Sequence, residues 1–438
     1  MFASLILSIL AILLAYSAKK NPTKGIMVYY AIRMVIPSSA RVFAFSFNTV
    51  SLSLLIICLY PILEKKYRLL SQYEKGFIKA VGRLLFSLFF LSLLASVVPK
   101  SYQWSGMFQM FGTEFVPAIL LMICLSTEKE CKEFNSLVIL SALFYGLYSI
   151  YTYIASSNPI FDFFNNSDAE VVDLLEYANG RMGLTGIAVG IYNDKIACSL
   201  IGLVLFMFII SNSLIGKNKK LILSCICATA TYLSTQRTGL LCLLLFVILM
   251  LFDKNRKNII RRNFFLLCMG IILFLSFTDN KNIINSIYSI LYLFDDRMQQ
   301  QLGVGGSNME LRLLQYMNGL NYLGGANILQ GGGFSFSNYY YEYIWKADIY
   351  GLDFRFYGFE SFPLKILMSS GILGLISWGI FFKRVFVSFK VNRSVSSIAF
   401  YSCYMIAIIL TDTSSSFYLF FMLFVLKFKG QLLKEKYG

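Results

Sequence analysis

Long apolar runs alternate along this chain with shorter gaps, and lysine and arginine collect in every second gap. That alternation leaves few folds open. A membrane-spanning helix needs about 20 apolar residues, with a range of roughly 17–25. Stretches such as 84–98 and 201–215 approach that length without interruption. The runs predict spans near 2–17, 25–38, 45–63, 80–98, 114–126, 135–155, 195–215, 220–235, 239–252, 263–278, 361–382, 396–411 and 414–427. The fold class is therefore all-α: a polytopic integral membrane protein with about 12–13 transmembrane helices, forming one transmembrane domain over 1–438.

Composition agrees. Hydrophobic residues make up 57% of the chain and charged residues 14%, where a soluble domain carries about 25% charge. The net charge of +16 invites a nucleic-acid partner. Its distribution argues against one, because the cations sit in gaps between apolar runs rather than along one amphipathic face. The nine cysteines all fall in or beside predicted spans, so disulfides are not expected to staple the loops. The chain has no histidine, which excludes imidazole bases and imidazole metal ligands.

Cytoplasmic loops of membrane proteins carry an excess of lysine and arginine. Most of the 39 basic residues fall on one side when the C-terminus is placed inside, including Lys65, Lys66, Arg68, Arg256, Lys257, Arg261, Arg262, Lys383 and Arg384. The first lysine, Lys19, follows the first run, so the N-terminus is expected outside and no basic leader precedes it. Two long polar loops, 156–194 and 278–360, are then extracytoplasmic, as is the turn at 236–239. No internal repeat of the inverted-transporter kind is evident.

Few arginines lie in or beside these loops, and they are the first candidates for chemistry. Arg181 sits in NGRMGLTGIAVGIYNDKIA, a turn-rich segment ending in Asn193 and Asp194. It reads either as an anion contact or as an interfacial arginine reaching to headgroups. Arg237, in LSTQRTGLL, lies between two spans on the side where cations are scarce. A guanidinium there suits phosphate oxygens bidentately, though a plain loop arginine is the alternative. Arg312 follows Ser307 and Glu310, whose capping-box spacing starts a helix. Leu313, Tyr316, Met317 and Leu320 form its apolar stripe, with Arg312, Gln315 and Gly319 on another face. An amphipathic helix at the membrane surface is expected, either presenting Arg312 across a cleft or simply solvating it.

GGANILQGGGF follows at 324–334, where three glycines permit tight turns and close backbone approach to a ligand. It is not a nucleotide loop, since no Gly-Lys-Ser/Thr follows. The stretch 338–367 is dense in aromatic residues and carboxylates, which suits sugar rings as well as a membrane interface. Glu360 opens the next span, where partial burial favours a usable base. Asp353 and Arg355 are second candidates. No metal-ligand cluster stands in the loops, so neither metal nor other cofactor is expected.

Four of these segments together resemble the O-antigen ligase and O-antigen polymerase superfamily of bacterial envelope glycosyltransferases. RMGLTGIAVGIYNDKIA (181–197) is similar to its Arg-x-Gly segment, and LSTQRTGLL (233–241) to its Ser-Arg-Gly turn. ELRLLQYMNGLNYLGGANILQGGGF (310–334) is similar to its loop helix and Gly-x-Gly segment. FESFPLKILMSSGILGLISW (359–378) is similar to its entry into the following span. The resemblance implies a GT-C-like enzyme of the bacterial inner membrane, working on the periplasmic face. Its partners would be a polyprenyl-diphosphate-linked oligosaccharide, membrane lipids, and chain-length regulator and flippase proteins. Arg237 and Arg312 would hold the diphosphate, with Arg181 accessory and Asn193 nearby. Ligases of the family typically carry His-Asn where this chain has Glu360-Ser361, which shifts weight from ligase to polymerase, with Glu360 in the base role.

Two other readings predict different patterns. A lipid-linked-glycan flippase would place charges along a central path inside several spans, whereas the charges noted here gather in loops. A membrane scaffold leaves the arginines unexplained.

Overall fold

A computed structural model describes residues 2–42, 45–164, 187–212, 215–252, 309–324, 327–344, 359, 361–413 and 416–437. The described chain is almost wholly helical, with one two-residue antiparallel hairpin pairing β1 (Arg41–Val42) with β2 (Phe45–Ser46). The helices are α1 (Phe2–Lys20), α2 (Pro22–Val35), α3 (Phe47–Arg68), α4 (Gln72–Leu94), α5 (Lys100–Met110), α6 (Val116–Cys124), α7 (Glu128–Ala155) and α8 (Pro159–Phe164). They continue as α9 (Lys195–Ser211), α10 (Lys217–Leu233), α11 (Arg237–Leu251), α12 (Met309–Leu323), α13 (Asn327–Gln330), α14 (Phe336–Tyr339), α15 (Phe362–Ser388), α16 (Val395–Leu410) and α17 (Phe417–Tyr437). Twelve of the expected spans coincide with these helices; the one near 263–278 lies outside the described residues. Among the described residues, six stretches are long and apolar enough to cross a membrane: α1, α3, α4, the continuous Lys100–Cys124, α7 and α15.

Helix starts follow local chemistry. Ser71 and Thr127 each close a capping box, with Glu74 and Glu130, at the feet of α4 and α7. Asn21 caps α2 and Pro22 takes its first position, where a missing N–H costs nothing. Two helices are buried nearly all round: α9, and α17 from Phe417 to Leu426. A helix apolar on every face belongs in the centre of a bundle. The capping boxes lie at one end, together with Lys66 and Lys429. There Lys66 donates to the Cys124 carbonyl at 2.9 Å, Thr23 donates to Glu130 at 2.9 Å, and Lys429 pairs with Glu74.

Helix length divides the bundle. At 1.5 Å per residue, the 28 residues of α7 reach about 42 Å. The 14 residues of α2 reach about 21 Å and the 15 of α11 about 22 Å. A hydrocarbon core is about 30 Å thick. Long helices therefore rise past the ends of short ones, and the end away from the lysines is hollow.

Helix α15 departs from the straight entry expected over 361–382. Gly371 lies inside it at φ 62° and ψ −163°, outside helical geometry. Sixteen residues of straight helix would separate Phe362 from Trp378 by about 24 Å, yet their rings meet edge to face at 4.9 Å. Residues 362–370 therefore run back along residues 372–388 as a helical hairpin. Trp378 stacks on Phe417, while Ser87 of α4 meets Ser377 at 2.6 Å.

The triple glycine of GGANILQGGGF, 331–333, locks this hairpin. Gly332 N–H donates to Met368 O at 2.8 Å and Gly333 N–H to Ser369 O at 3.0 Å, satisfying carbonyls at the break. A side chain at Gly331 (φ 77°) would strike Ser370 N at 2.4 Å. The close approach expected toward a ligand is made instead to the backbone of α15.

Candidate active-site cleft

The hollow end holds a cleft of about 470 Å³, a size usual for small-molecule sites. One wall comes from α5 and the turn after it, through Gly106, Gln109, Met110, Thr113 and Glu114. Phe334, Ser335, Ser337 and Asn338 form the second. The hairpin supplies Phe362, Lys365, Ile366, Ser369 and Trp378. Asp194 at the head of α9 and Asp412, Thr413 and Phe417 at the α16–α17 turn complete it. Phe362, Trp378 and Phe417 make an apolar floor, each 6% exposed or less. Phe115, Phe381 and Phe421 pack beneath them.

Glu114 reaches the cleft through a π-helical turn, Phe111–Phe115, inserted between α5 and α6. Such turns recur at functional sites because they re-aim one side chain. Pro117 follows, and its ring nitrogen cannot donate to the carbonyl four residues back. That carbonyl, Thr113 O, receives Arg33 Nη1 at 3.3 Å instead. Arg33 also pairs with Glu114 Oε1 at 3.6 Å and lies 3.9 Å over the Tyr418 ring. Tyr418 N–H donates to Glu114 Oε2 at 2.9 Å. Tyr192, just before α9, donates to Arg33 O and shares a 3.0 Å hydrogen bond with Tyr418. Burial pushes the Tyr192 phenol above its ordinary value, so it acts as a neutral donor.

Across the cleft, Lys365 and Asp412 pair at 2.5 Å. Phe362 N–H donates to Thr411 O at 3.0 Å, so the foot of the hairpin is tied twice to the α16–α17 turn. Ser335 is held at φ 62°, and Gly106 leaves room for its hydroxyl. Strained non-glycine residues of this kind cluster at ligand sites.

The arginines and carboxylates read from the sequence lie differently. Arg181, Asp353, Arg355 and Glu360 are outside the described residues. Phe359 and Ser361, on either side of Glu360, are both buried, and Phe362 lines the cleft. Arg237 is the first residue of α11 and half-buried. Its turn is joined to the segment before α9, since Ala188 N–H donates to Leu233 O at 2.9 Å. Arg312 stands in α12, one turn before Tyr316, whose hydroxyl meets Ser361 Oγ at 2.8 Å. Gln315 is buried, and Gly319 abuts Met368. Leu313 and Met317 face outward, 61% and 59% exposed, as the stripe of an amphipathic helix does on lipid. Asn193 takes the left-handed turn before α9 and accepts from Asn158 at 3.2 Å; Asp194, not Asn193, lines the cleft.

Arg33, Glu114, Lys365, Asp412 and Trp378 were missed by the sequence reading. The gathering of charges in loops does not hold either, since Arg33 and Glu114 stand inside predicted or observed helices. The signal was there: ionisable residues within apolar runs are rare and often functional.

A family model described as O-antigen ligase matches residues 221–379. The matched segment takes in most of α10, α11 to α14 and the greater part of α15, and with them two walls of the cleft. No curated protein matches the chain.

Proposed function

From the match of residues 221–379 to a family model described as O-antigen ligase, we propose that the chain is a membrane glycosyltransferase of the O-antigen ligase and polymerase superfamily that polymerises polyprenyl-diphosphate-linked oligosaccharide repeats on the extracytoplasmic face. The observation that carries this reading is a junction. The Tyr316–Ser361 hydrogen bond ties α12, which carries Arg312, to the residue that precedes the cleft-lining Phe362. In the proposed reaction a hydroxyl of the incoming repeat attacks the anomeric carbon of the growing chain. The bond to the polyprenyl diphosphate breaks and the diphosphate leaves with the electron pair. Arg237 and Arg312, with Arg181 accessory, stabilise the charge that develops on it. Glu360 accepts the hydroxyl proton.

Arg237→Ala and Arg312→Ala should each lower polymerisation of purified lipid-linked repeats by about 10²–10³-fold, the usual loss for one transition-state donor. Glu360→Gln should lower it by about 10²–10⁴-fold. Wild-type ladders from any of the three would remove that residue's role. The ligase reading is favoured by the description of the matched family, and a deletion strain separates the two. Surface glycan reduced to a single repeat marks a lost polymerase. Long lipid-linked chains without surface glycan mark a lost ligase.

A further inference from the structure

The cleft is a poor seat for a diphosphate. Among the described residues that line it, Glu114, Asp194 and Asp412 stand against one lysine, Lys365, already paired with Asp412 at 2.5 Å. Arg33 balances Glu114 from behind, but with 2% of its side chain exposed it presents no donor to the cleft. An anion entering this space would be desolvated beside carboxylates.

Its lining suits a sugar ring. Carboxylates only accept hydrogen bonds and a hydroxyl always has one to donate. The two oxygens of Glu114 take Arg33, Thr113 Oγ1 and Tyr418 N–H. A carboxylate has about four acceptor positions, so capacity remains on the side that lines the cleft. Beneath it the floor of Phe362, Trp378 and Phe417 matches the apolar C–H faces of a ring.

We infer that the cleft seats a hexose ring carrying no negative charge, with Glu114 accepting one of its hydroxyls and setting that charge preference, and with Arg33 as the positioning residue of Glu114. This rests on the glycosyl-transfer reading and adds the class of sugar unit that it admits.

The chain has three tryptophans, so replacing Trp104 and Trp345 by Phe leaves Trp378, on the cleft floor, as the fluorescent reporter. Four probes are titrated into the detergent-purified full chain: glucosamine, glucose, glucuronate and inorganic pyrophosphate. Glucose and glucosamine should give a saturable change, and glucuronate and pyrophosphate none over the same range. Glu114→Gln should weaken glucose by about tenfold or more, as loss of a hydrogen bond to a charged acceptor does. If that variant does not purify, Asn338→Arg, at an exposed position on the rim, should admit glucuronate. The inference is overturned if pyrophosphate or glucuronate binds as tightly as glucose, or if neither glucose nor glucosamine saturates. Unchanged glucose binding by Glu114→Gln, or continued exclusion of glucuronate by Asn338→Arg, overturns it as well. Binding is read without turnover. Selective sugar binding by a protein that extends no glycan would sink the polymerase reading alone.

Discussion

Arg33 and Glu114 make the most consequential pair of single residues. Both carry charge into a region of apolar packing, with side chains 2% and 15% exposed. Removing one partner of such a pair leaves a charge buried alone, which typically costs about 3–5 kcal/mol. Arg33→Met should therefore lower resistance to denaturant in detergent by about that much. Adding Glu114→Gln to it should restore most of the loss, because the orphaned carboxylate is gone. A single variant as stable as the parent would show that the pair carries no such weight. Neither residue stood out in the sequence. Arg33 lies in a run read as a crossing, and Glu114 opens another, so counting apolar residues passed over both. Their meeting depends on a contact 81 positions apart, which a pattern of local spacing does not encode.

Among the elements, α15 combines a feature the sequence displayed with one it concealed. Apolar content marked the helix, and Ser361 caps it, its hydroxyl oxygen accepting from Leu364 N. The reversal at Gly371 was concealed because Ser-Ser-Gly is tolerated in a straight membrane helix too. What selects the hairpin is the glycine segment 331–333, distant in sequence, which satisfies the carbonyls at the break. Gly371→Ala should cost about 1–3 kcal/mol for the left-handed backbone, plus the clash with Leu329 O at 2.3 Å. Gly379→Ala, in the same helix with nothing within 4 Å, should be neutral or stabilise by about 0.5–1 kcal/mol. Thermal melts of the two variants in one detergent check the contrast. Equal melting would mean that the break is not under backbone constraint.

At the scale of the whole molecule, the lysine-rich end and the cleft end are the two faces on which orientation turns. The charge asymmetry predicts that the cleft opens away from the cytoplasm. An impermeant thiol reagent added to intact cells should label Asn338→Cys, on the cleft rim, and not Arg256→Cys. The described native cysteines, buried or half-buried, serve as the blank. Labelling at 256 alone would invert the protein and with it the proposed face of activity. Fold class and the order of spans were legible because apolar runs report burial directly. The cleft was not, because it exists only where short helices stop below long ones.

Those short helices have a consequence for the surrounding lipid. Helices α10, α11 and α16 have 17, 15 and 16 residues, and each keeps an apolar side chain exposed: Ile222, Ile248 and Ile409. At 1.5 Å per residue they span about 22–25 Å, several ångströms less than a typical hydrocarbon core of about 30 Å. This is hydrophobic mismatch of the negative sign, and a bilayer meets it by thinning or by drawing polar headgroups inward, at fractions of a kcal/mol per ångström. Membrane thickness thereby becomes a variable that acts on the protein where α10, α11 and α16 meet lipid.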